Sequence, residues 1–210
     1  MRYKYPRTVH LPWSPGASSD DIQLFDVNHF EGCEVVVTEK MDGENTSIYS
    51  DGLHARSIDG RHHSSRNWVK ALQAKLSYQI PTDWRLCGEN LYAMHSLRYE
   101  SLRSYFYLFA IYNEANFCLS WDDMEEWAEL LELSLPKVLY RGLWDEELLR
   151  SLCIDPEFVE GYVLRKTAGF AYKDFQINAA KWVRQNHVQT DEHWMHKEIE
   201  ANGLAGEEND

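Results

Sequence analysis

The stretch VVVTEKMDGENTSIYSDG, residues 35–52, carries the clearest signal of the fold class. It opens with β-branched valines, and two Asp-Gly pairs follow at 42–43 and 51–52. Asp-Gly between β-rich runs favours tight turns between antiparallel strands. We therefore predict a three-stranded antiparallel meander over residues 33–58, with hairpin turns at both Asp-Gly pairs.

The rest of the chain adds more strands and a few helices. Helical spacing and capping residues predict helices over 64–77, 121–133 and 144–152, and Ser120 with Asp123 forms a capping box before the second. Further strands are predicted within 84–93, 105–113, 160–166 and 170–184. The order predicts an α+β fold, in which antiparallel sheets have flanking helices.

The net charge of −13 is unevenly distributed over the 210 residues. Residues 122–157 carry a net charge of −8 and residues 191–210 carry −6, which leaves the remainder near neutral at +1. The acidity therefore does not exclude a nucleic-acid partner for the rest of the chain. With no apolar run long enough to span a membrane and no signal peptide, we expect a cytoplasmic protein without a membrane partner.

Lys40 stands out because lysine is rarely placed at the end of a buried strand. It could be an ordinary strand-end lysine that reaches out to water, or a nucleophile. Three other short segments also combine charged residues with glycine or aromatics at a strand end. The four segments are EKMDGEN (39–45), CGENLYA (87–93), EGYVLRK (160–166) and AAKWVR (179–184). If they meet, they form a pocket for a charged ligand.

The order and intervals of these segments resemble the covalent nucleotidyltransferase superfamily of polynucleotide ligases and mRNA-capping enzymes. Within it, residues 1–184 look most like the phage and bacterial ATP-dependent RNA ligases, especially over LCGENLYAMHSLRYESLRSYFYLFAIYN (86–113). The resemblance implies an adenylyltransferase domain of the ligase type over 1–184, with 1–30 as an N-terminal arm. For residues 185–210 we expect a short acidic helix or tail and no separate C-terminal domain.

The resemblance also implies roles for the first segment. Lys40 matches the lysine that attacks the α-phosphate of ATP and becomes lysyl-AMP. Glu39 matches an acidic residue that contacts the adenine. Asn45 stands where RNA ligases often have Asn, whereas DNA ligases and capping enzymes have Arg.

The remaining roles come from later segments. Arg56 matches a phosphate-binding arginine, although Arg61 and Arg66 compete for that role. Glu89 matches a carboxylate that binds the ribose, and Phe109 an aromatic that stacks on the base; either could instead be structural, Glu89 as a solvated carboxylate and Phe109 as a core residue. Glu160, which could also be a solvated strand-end carboxylate, matches the carboxylate near the metal and the reacting phosphate. Lys181 matches the second lysine of the last motif, which is usually Lys-x-Lys but here begins with Ala179.

These residue types suit the chemistry on physical grounds. A lysine nucleophile must be neutral, so we expect a nearby cation, Mg²⁺ (or Mn²⁺) and partial burial to lower the pKa of Lys40. Covalent capture divides one difficult transfer into two easier steps.

The function expected is an ATP-dependent RNA ligase that passes AMP to an RNA 5′-phosphate and joins it to a 3′-OH. A protein partner could supply the function of the missing C-terminal domain. The alternatives are a non-catalytic or partner-dependent nucleotide- or RNA-binding module, and a DNA ligase or capping-type enzyme.

Overall fold

The computed structural model describes residues 1–58, 63–185 and 199–206, which contain two sheets, three α-helices and three short 3-10 helices. The strands are β1 Val9–His10, β2 Glu34–Glu39, β3 Glu44–Tyr49, β4 Gly52–Ala55, β5 Arg85–Asn90, β6 Phe106–Tyr112, β7 Phe117–Cys118, β8 Val138–Leu143, β9 Gly161–Lys166, β10 Phe170–Ala171 and β11 Ala179–Val183. The α-helices are α1 Asn67–Leu76, α2 Trp121–Leu130 and α3 Glu146–Ser151, and the 3-10 helices are Asn28–Phe30, Ser64–Arg66 and Tyr172–Ile177. The predicted α+β class is confirmed.

The strands are divided between a five-stranded and a six-stranded sheet. The first sheet has the order β1-β11-β9-β2-β8, and the second has the order β10-β7-β6-β5-β3-β4. Every pairing is antiparallel except that of β1 with β11. Strand β2 belongs to the first sheet and β3 to the second. The segment between these two strands therefore connects the two sheets.

The hairpin predicted at Asp42–Gly43 is wrong. Strand β2 pairs with β8 and β9, whereas β3 pairs with β4 and β5, so residues 40–43 cross between sheets. The Asp42 carboxylate accepts hydrogen bonds from the distant Ser96 and Leu97. Long-range contacts therefore override the local turn signal. The second predicted hairpin, at Asp51–Gly52, is present between β3 and β4.

The run of valines in β2 is explained by burial on both faces of the first sheet. Val35 and Val37 pack in one core with Leu149 of α3, while Val36 packs in a second core with Ile48 and residues of α1 and α2. Strands covered on both faces are continuously apolar rather than alternating. This double burial fixes the position of the strand that ends next to Lys40.

Both ends of the described chain are held by backbone hydrogen bonds to other segments. In the N-terminal arm, the His10 backbone pairs with Ile22 and Leu24, which extends the first sheet beside β11. For the predicted C-terminal helix or tail, residues 186–198 and 207–210 lie outside the described residues. Residues 199–206 are not helical and are hydrogen-bonded along the loop that follows β5. Among the helices of the described ranges, none is both long and apolar enough to cross a membrane.

Candidate active site

Lys40 and Glu160 form an ion pair where the two sheets meet. Lys40 directly follows β2 and Glu160 directly precedes β9, and these neighbouring strands bring the residues together. Nζ of Lys40 donates to Oε2 of Glu160 over 2.5 Å. The Glu160 side chain is fully buried, and that of Lys40 is 23% exposed. Lys40 is therefore held in place yet accessible from one side.

Glu89 and Asn45 form the part of the site on the second sheet. They lie directly opposite each other on β5 and β3. Oε1 of Glu89 accepts a hydrogen bond of 3.2 Å from the Gly43 amide, in the segment that follows Lys40. The buried Oδ1 of Asn45 accepts no hydrogen bond from any described residue. An unsatisfied buried acceptor is costly, so this atom suits a ligand that brings a donor.

Lys181 reaches the site from β11. It lies opposite Val163 of β9, and Val163 lies opposite Thr38 near the end of β2. Its Nζ is 3.9 Å from Oδ1 of Asp21, a residue of the N-terminal arm. Burial and the charge of Lys40 lower the pKa of Lys181 to about 8. Two lysines thus share one partly buried site, each facing a carboxylate.

The pKa of Lys40 is raised rather than lowered. Burial by itself lowers it, but the carboxylates of Glu160, Glu89 and Asp42 outweigh burial. The expected lowering of the Lys40 pKa is therefore wrong for the protein alone, because that expectation counted the cations and overlooked the closer carboxylates. Lys40 is therefore an ammonium at neutral pH.

Burial also raises the pKa of Glu89 to about 8. The charge of Lys40 opposes this rise, and those of Glu160 and Asp42 reinforce it. At pH 7 Glu89 is accordingly mostly a neutral carboxylic acid, which can donate one hydrogen bond as well as accept. That form suits a hydroxyl-bearing ligand such as a ribose.

Two other predicted residues, Glu39 and Arg56, lie at the ends of strands. Glu39 ends β2, and burial raises its pKa. Arg56 is exposed just after β4, yet its charge contributes to the lowered pKa of Lys181, so it faces the same region. Its competitor Arg66 is buried and paired with Glu44, which occupies its guanidinium.

Phe109 is half-buried on β6 and packs edge-on against Tyr5, with ring centroids 5.0 Å apart. The pairing of β5 with β6 shifts register here, because Cys87 lies opposite Ala110 and Gly88 opposite Leu108. Phe109 therefore sits at an irregularity of the strand, and its ring packs against the buried cluster that contains Tyr112 and Phe175.

Two functional candidates were missed in the sequence. Asp21 carries no motif and is placed near Lys181 only by the folding of the arm. Tyr99, whose hydroxyl accepts a hydrogen bond of 2.9 Å from the Asp42 amide, lies within a segment that showed no strand or helix pattern. The Asp42 carboxylate accepts hydrogen bonds from this segment instead of forming the predicted hairpin turn. No local signal could have revealed these contacts, since all of them join residues far apart in sequence.

A divalent cation fits this set of side chains. In the described ranges no three His, Cys, Asp or Glu side chains are grouped to hold a metal. Mg²⁺ commonly takes only one or two protein carboxylates and completes its shell with water and substrate phosphates. The buried Glu160 carboxylate, next to the nucleophile candidate, can serve as such a ligand.

Comparisons with known proteins bear on the family and the fold of the chain. A family model described as RNA ligase matches residues 33–183. No curated protein matches the chain. Among solved structures, Naegleria gruberi RNA ligase with PPi is 19% identical with a TM-score of 0.57, covering 75% of this chain and 51% of that one. A mutant of that ligase with ATP and Mn is 18% identical with a TM-score of 0.54, covering 76% and 52%.

An archaeal ATP-dependent RNA ligase is 16% identical with a TM-score of 0.55, and the match covers 86% of this chain and 48% of that one. The chain therefore spans about half the length of these solved structures. At such low identities the structural matches establish the fold. The family model covers well over half of the 210 residues, from the start of β2 to the end of β11, and the chain belongs to the RNA ligase family.

Proposed function

We propose that this protein is an ATP-dependent RNA ligase that reacts through Lys40. The observation that carries the proposal is the partly exposed Lys40 ammonium, 2.5 Å from the buried Glu160 carboxylate, with Lys181 close enough for their charges to interact. A lysine held between a carboxylate and a second cation is arranged for attack on a phosphate.

In the first step Lys40 loses a proton, for which Glu160 is the nearest acceptor. Its Nζ then forms a bond to the α-phosphorus of ATP while the bond from that phosphorus to the pyrophosphate oxygen breaks. Pyrophosphate leaves and lysyl-AMP remains. Lys181 and Arg56 offer positive charge to the phosphates. A divalent cation bound at Glu160 would neutralise phosphate charge and weaken the hold of that carboxylate on Lys40.

The neutral acid of Glu89 and the unpaired Oδ1 of Asn45 are assigned to the nucleoside, with Glu39 and Phe109 beside the base. AMP would then pass to the 5′-phosphate of an RNA, and a 3′-OH would displace it to seal the strand. The substrates are therefore ATP and RNA ends, with Mg²⁺ or Mn²⁺ as the metal.

Ala179 replaces the first lysine of the last motif, so one positive charge for phosphate binding is absent from this motif. Ala179 is buried in an apolar cluster with Phe175, and its methyl side chain offers no charge to a phosphate. Only Lys181 of that motif can contact the triphosphate. We expect slow but measurable adenylylation.

The test is to incubate the protein with Mg²⁺ and ATP labelled at the α-phosphate, then to look for label on the denatured chain. We expect acid-labile label on the wild type and on Lys70→Met, an exposed control lysine, and none on Lys40→Met. Label on Lys40→Met would refute the assignment. Bound ATP without label on the wild type would instead identify a non-catalytic binding module. Label transferred from GTP, or sealing of nicked DNA in preference to RNA, would indicate a capping-type enzyme or a DNA ligase.

A further inference from the structure

The segment 199–206, here called the C-terminal strap, lies along the loop 91–105 that joins β5 to β6. The Met94 amide donates to the Glu200 carbonyl over 2.8 Å, and the Leu102 amide donates to the Gly203 carbonyl over 2.9 Å. The Ala205 amide donates back to the Leu102 carbonyl over 2.8 Å. The strap thus supplies backbone partners to a loop that has no regular strand or helix of its own.

Asn202 is the centre of this contact. It is 2% exposed, and its Oδ1 accepts from the Tyr99 amide over 2.9 Å while its Nδ2 donates to the Leu91 carbonyl over 2.8 Å. Its own amide donates to the Tyr92 carbonyl, and its carbonyl accepts from the Tyr105 hydroxyl. Both its backbone groups and both its side-chain polar atoms are therefore bonded to the loop.

The loop in turn holds the residue two positions after Lys40. The Tyr99 hydroxyl accepts a hydrogen bond of 2.9 Å from the Asp42 amide. Oδ2 of Asp42 accepts from the amides of Ser96 and Leu97, both over 2.8 Å, and from the Ser96 hydroxyl over 2.7 Å. Tyr99 thus bonds Asn202 on one side and Asp42 on the other.

An apolar contact runs parallel to these hydrogen bonds. Leu204 of the strap packs against the buried cluster that contains Met41, Leu91 and Leu102. Met41 directly follows Lys40 in sequence. The strap is therefore linked to Asp42 by hydrogen bonds through Tyr99, and to Met41 by apolar packing of Leu204.

We propose that the C-terminal strap is a positioning element for the proposed lysine nucleophile, and that Asn202 is its principal positioning residue. This inference rests on the proposed adenylylation at Lys40. An unsupported loop of this length would sample many conformations, and ordering it costs backbone entropy at each residue. The strap offsets that cost with hydrogen bonds and fixes Asp42, and with it the direction of the Lys40 side chain.

The experiment compares the full-length wild type with Asn202→Ala, Tyr99→Phe and an exposed control, Asn28→Ala. Tyr99→Phe deletes only the hydroxyl bonded to Asp42, so it tests the same route if Asn202→Ala fails to fold. Three quantities are measured: the dissociation constant of ATP, the single-turnover rate of lysyl-AMP formation at saturating ATP, and hydrogen exchange of the Ser96 and Leu97 amides.

For Asn202→Ala and Tyr99→Phe we expect the rate to fall about tenfold or more while ATP affinity stays within about threefold, because misplacement of a reacting group affects the chemical step. We also expect faster exchange at both amides in Asn202→Ala. Asn28→Ala should match the wild type. An unchanged rate, or a loss of ATP affinity in proportion to the rate, would overturn the positioning role.

Failure of the proposed function gives a different pattern. If the wild type forms no lysyl-AMP, the adenylylation proposal fails, and amide exchange alone decides whether the strap holds the loop. Faster exchange of the Ser96 and Leu97 amides in Asn202→Ala then supports the strap, and unchanged exchange overturns it.

Discussion

The Lys40 ammonium and the Glu160 carboxylate are separated by 120 residues in sequence and by 2.5 Å in the fold. The antiparallel pairing of β2 with β9 creates this contact, because one strand ends where the other begins. The amide of Lys40 also donates to the Gly161 carbonyl over 2.9 Å, which fixes its backbone beside the same strand. Backbone pairing and charge pairing therefore position the nucleophile together.

The raised pKa of Lys40 gives a pH dependence for adenylylation. Since the amine reacts only when neutral, and its pKa lies above neutral pH, the rate should rise about tenfold per pH unit while deprotonation limits it. Single-turnover lysyl-AMP formation between pH 6 and 8 measures this slope. Glu160→Gln should be slower at every pH in this range, because the carboxylate nearest to the Lys40 ammonium can no longer accept its proton. A flat wild-type profile would show that another step limits the rate.

We expect Lys181 to lower the free energy of unfolding at neutral pH and to be necessary for adenylylation. Its pKa is about 8 in the folded state against an ordinary value of 10.5, so folding disfavours the charged form. The destabilisation is fully present below pH 8 and disappears as the pH rises towards 10.5. Lys181→Met should therefore raise the free energy of unfolding at pH 7 by about 1–3 kcal/mol. It should also reduce adenylylation strongly, since it removes a phosphate-binding charge.

Urea denaturation at pH 7 and pH 10 checks the stability of Lys181→Met. The gain should shrink at the higher pH. Lys173→Met, which alters an exposed lysine, should stay within about 0.5 kcal/mol of the wild type at both values. A Lys181→Met variant less stable than the wild type at pH 7 would mean that the Asp21 contact outweighs the cost of burial.

Local patterns in the sequence predicted the strands around Lys40 but not how they pair. β-branched runs and alternation identify β2 and β3, because strand formation depends on the side chains present in each segment. The Asp42–Gly43 pair looks like a hairpin turn, yet its two strands join different sheets. Which strands pair is decided by contacts between distant segments, and a single sequence does not contain that information locally.

The same limit explains which site residues were missed. Lys40, Glu89 and Glu160 lie in segments with recognisable motifs, whereas Asp21 and Asn202 lie in segments without strand or helix periodicity. Backbone pairing of the chain ends places Asp21 beside β1 and Asn202 beside the loop 91–105. Asp21 then lies near Lys181, whereas Asn202 is linked to Asp42 only through Tyr99. Residues of this kind become visible only when the path of the chain is known.

We expect Glu89→Gln to weaken ATP binding less than Glu89→Ala does. Because burial raises its pKa to about 8, the neutral form prevails at pH 7, and glutamine reproduces its shape and its acceptor for the Gly43 amide. Titration with ATP at pH 7 should therefore give a dissociation constant within about threefold of the wild type for Glu89→Gln. For Glu89→Ala we expect a value at least about tenfold weaker, since the side chain assigned to the nucleoside is lost and the Gly43 amide loses its acceptor. Equal losses for both variants would indicate that the ionised carboxylate binds the ligand.

The stability of Glu89→Gln should depend on pH in a defined direction. A carboxyl group whose pKa is raised in the folded state stabilises the fold most below its ordinary pKa of 4.5, and that contribution is lost as the pH rises through 8. Glu89→Gln removes this loss, so its melting temperature should exceed that of the wild type at pH 9 by more than at pH 5. Thermal unfolding at the two pH values measures the difference. A constant difference would contradict the raised pKa.

Gly161 should be intolerant of any side chain, because β9 and β11 approach each other closely at this point. A Cβ atom at this position would lie 2.0 Å from the Trp182 carbonyl oxygen, so the backbone of one strand would have to move. Gly161 adjoins Glu160, and its carbonyl oxygen accepts a hydrogen bond from the Lys40 amide. Trp182 adjoins Lys181. Gly161→Ala should therefore destabilise the fold by about 2–4 kcal/mol and abolish detectable lysyl-AMP formation.

A second strand glycine provides the control for Gly161→Ala. At Gly142, on the edge strand β8, the nearest atom to an added Cβ is the hydroxyl oxygen of Tyr140 at 2.8 Å, the far end of a side chain that can rotate away. Gly142→Ala should cost less than about 1 kcal/mol and retain adenylylation. Urea denaturation of both variants measures the free energy of unfolding, and labelling from the α-phosphate of ATP measures lysyl-AMP formation. If Gly161→Ala remained as stable and active as Gly142→Ala, the close approach of β9 and β11 would not be what holds Glu160 and Lys181 together.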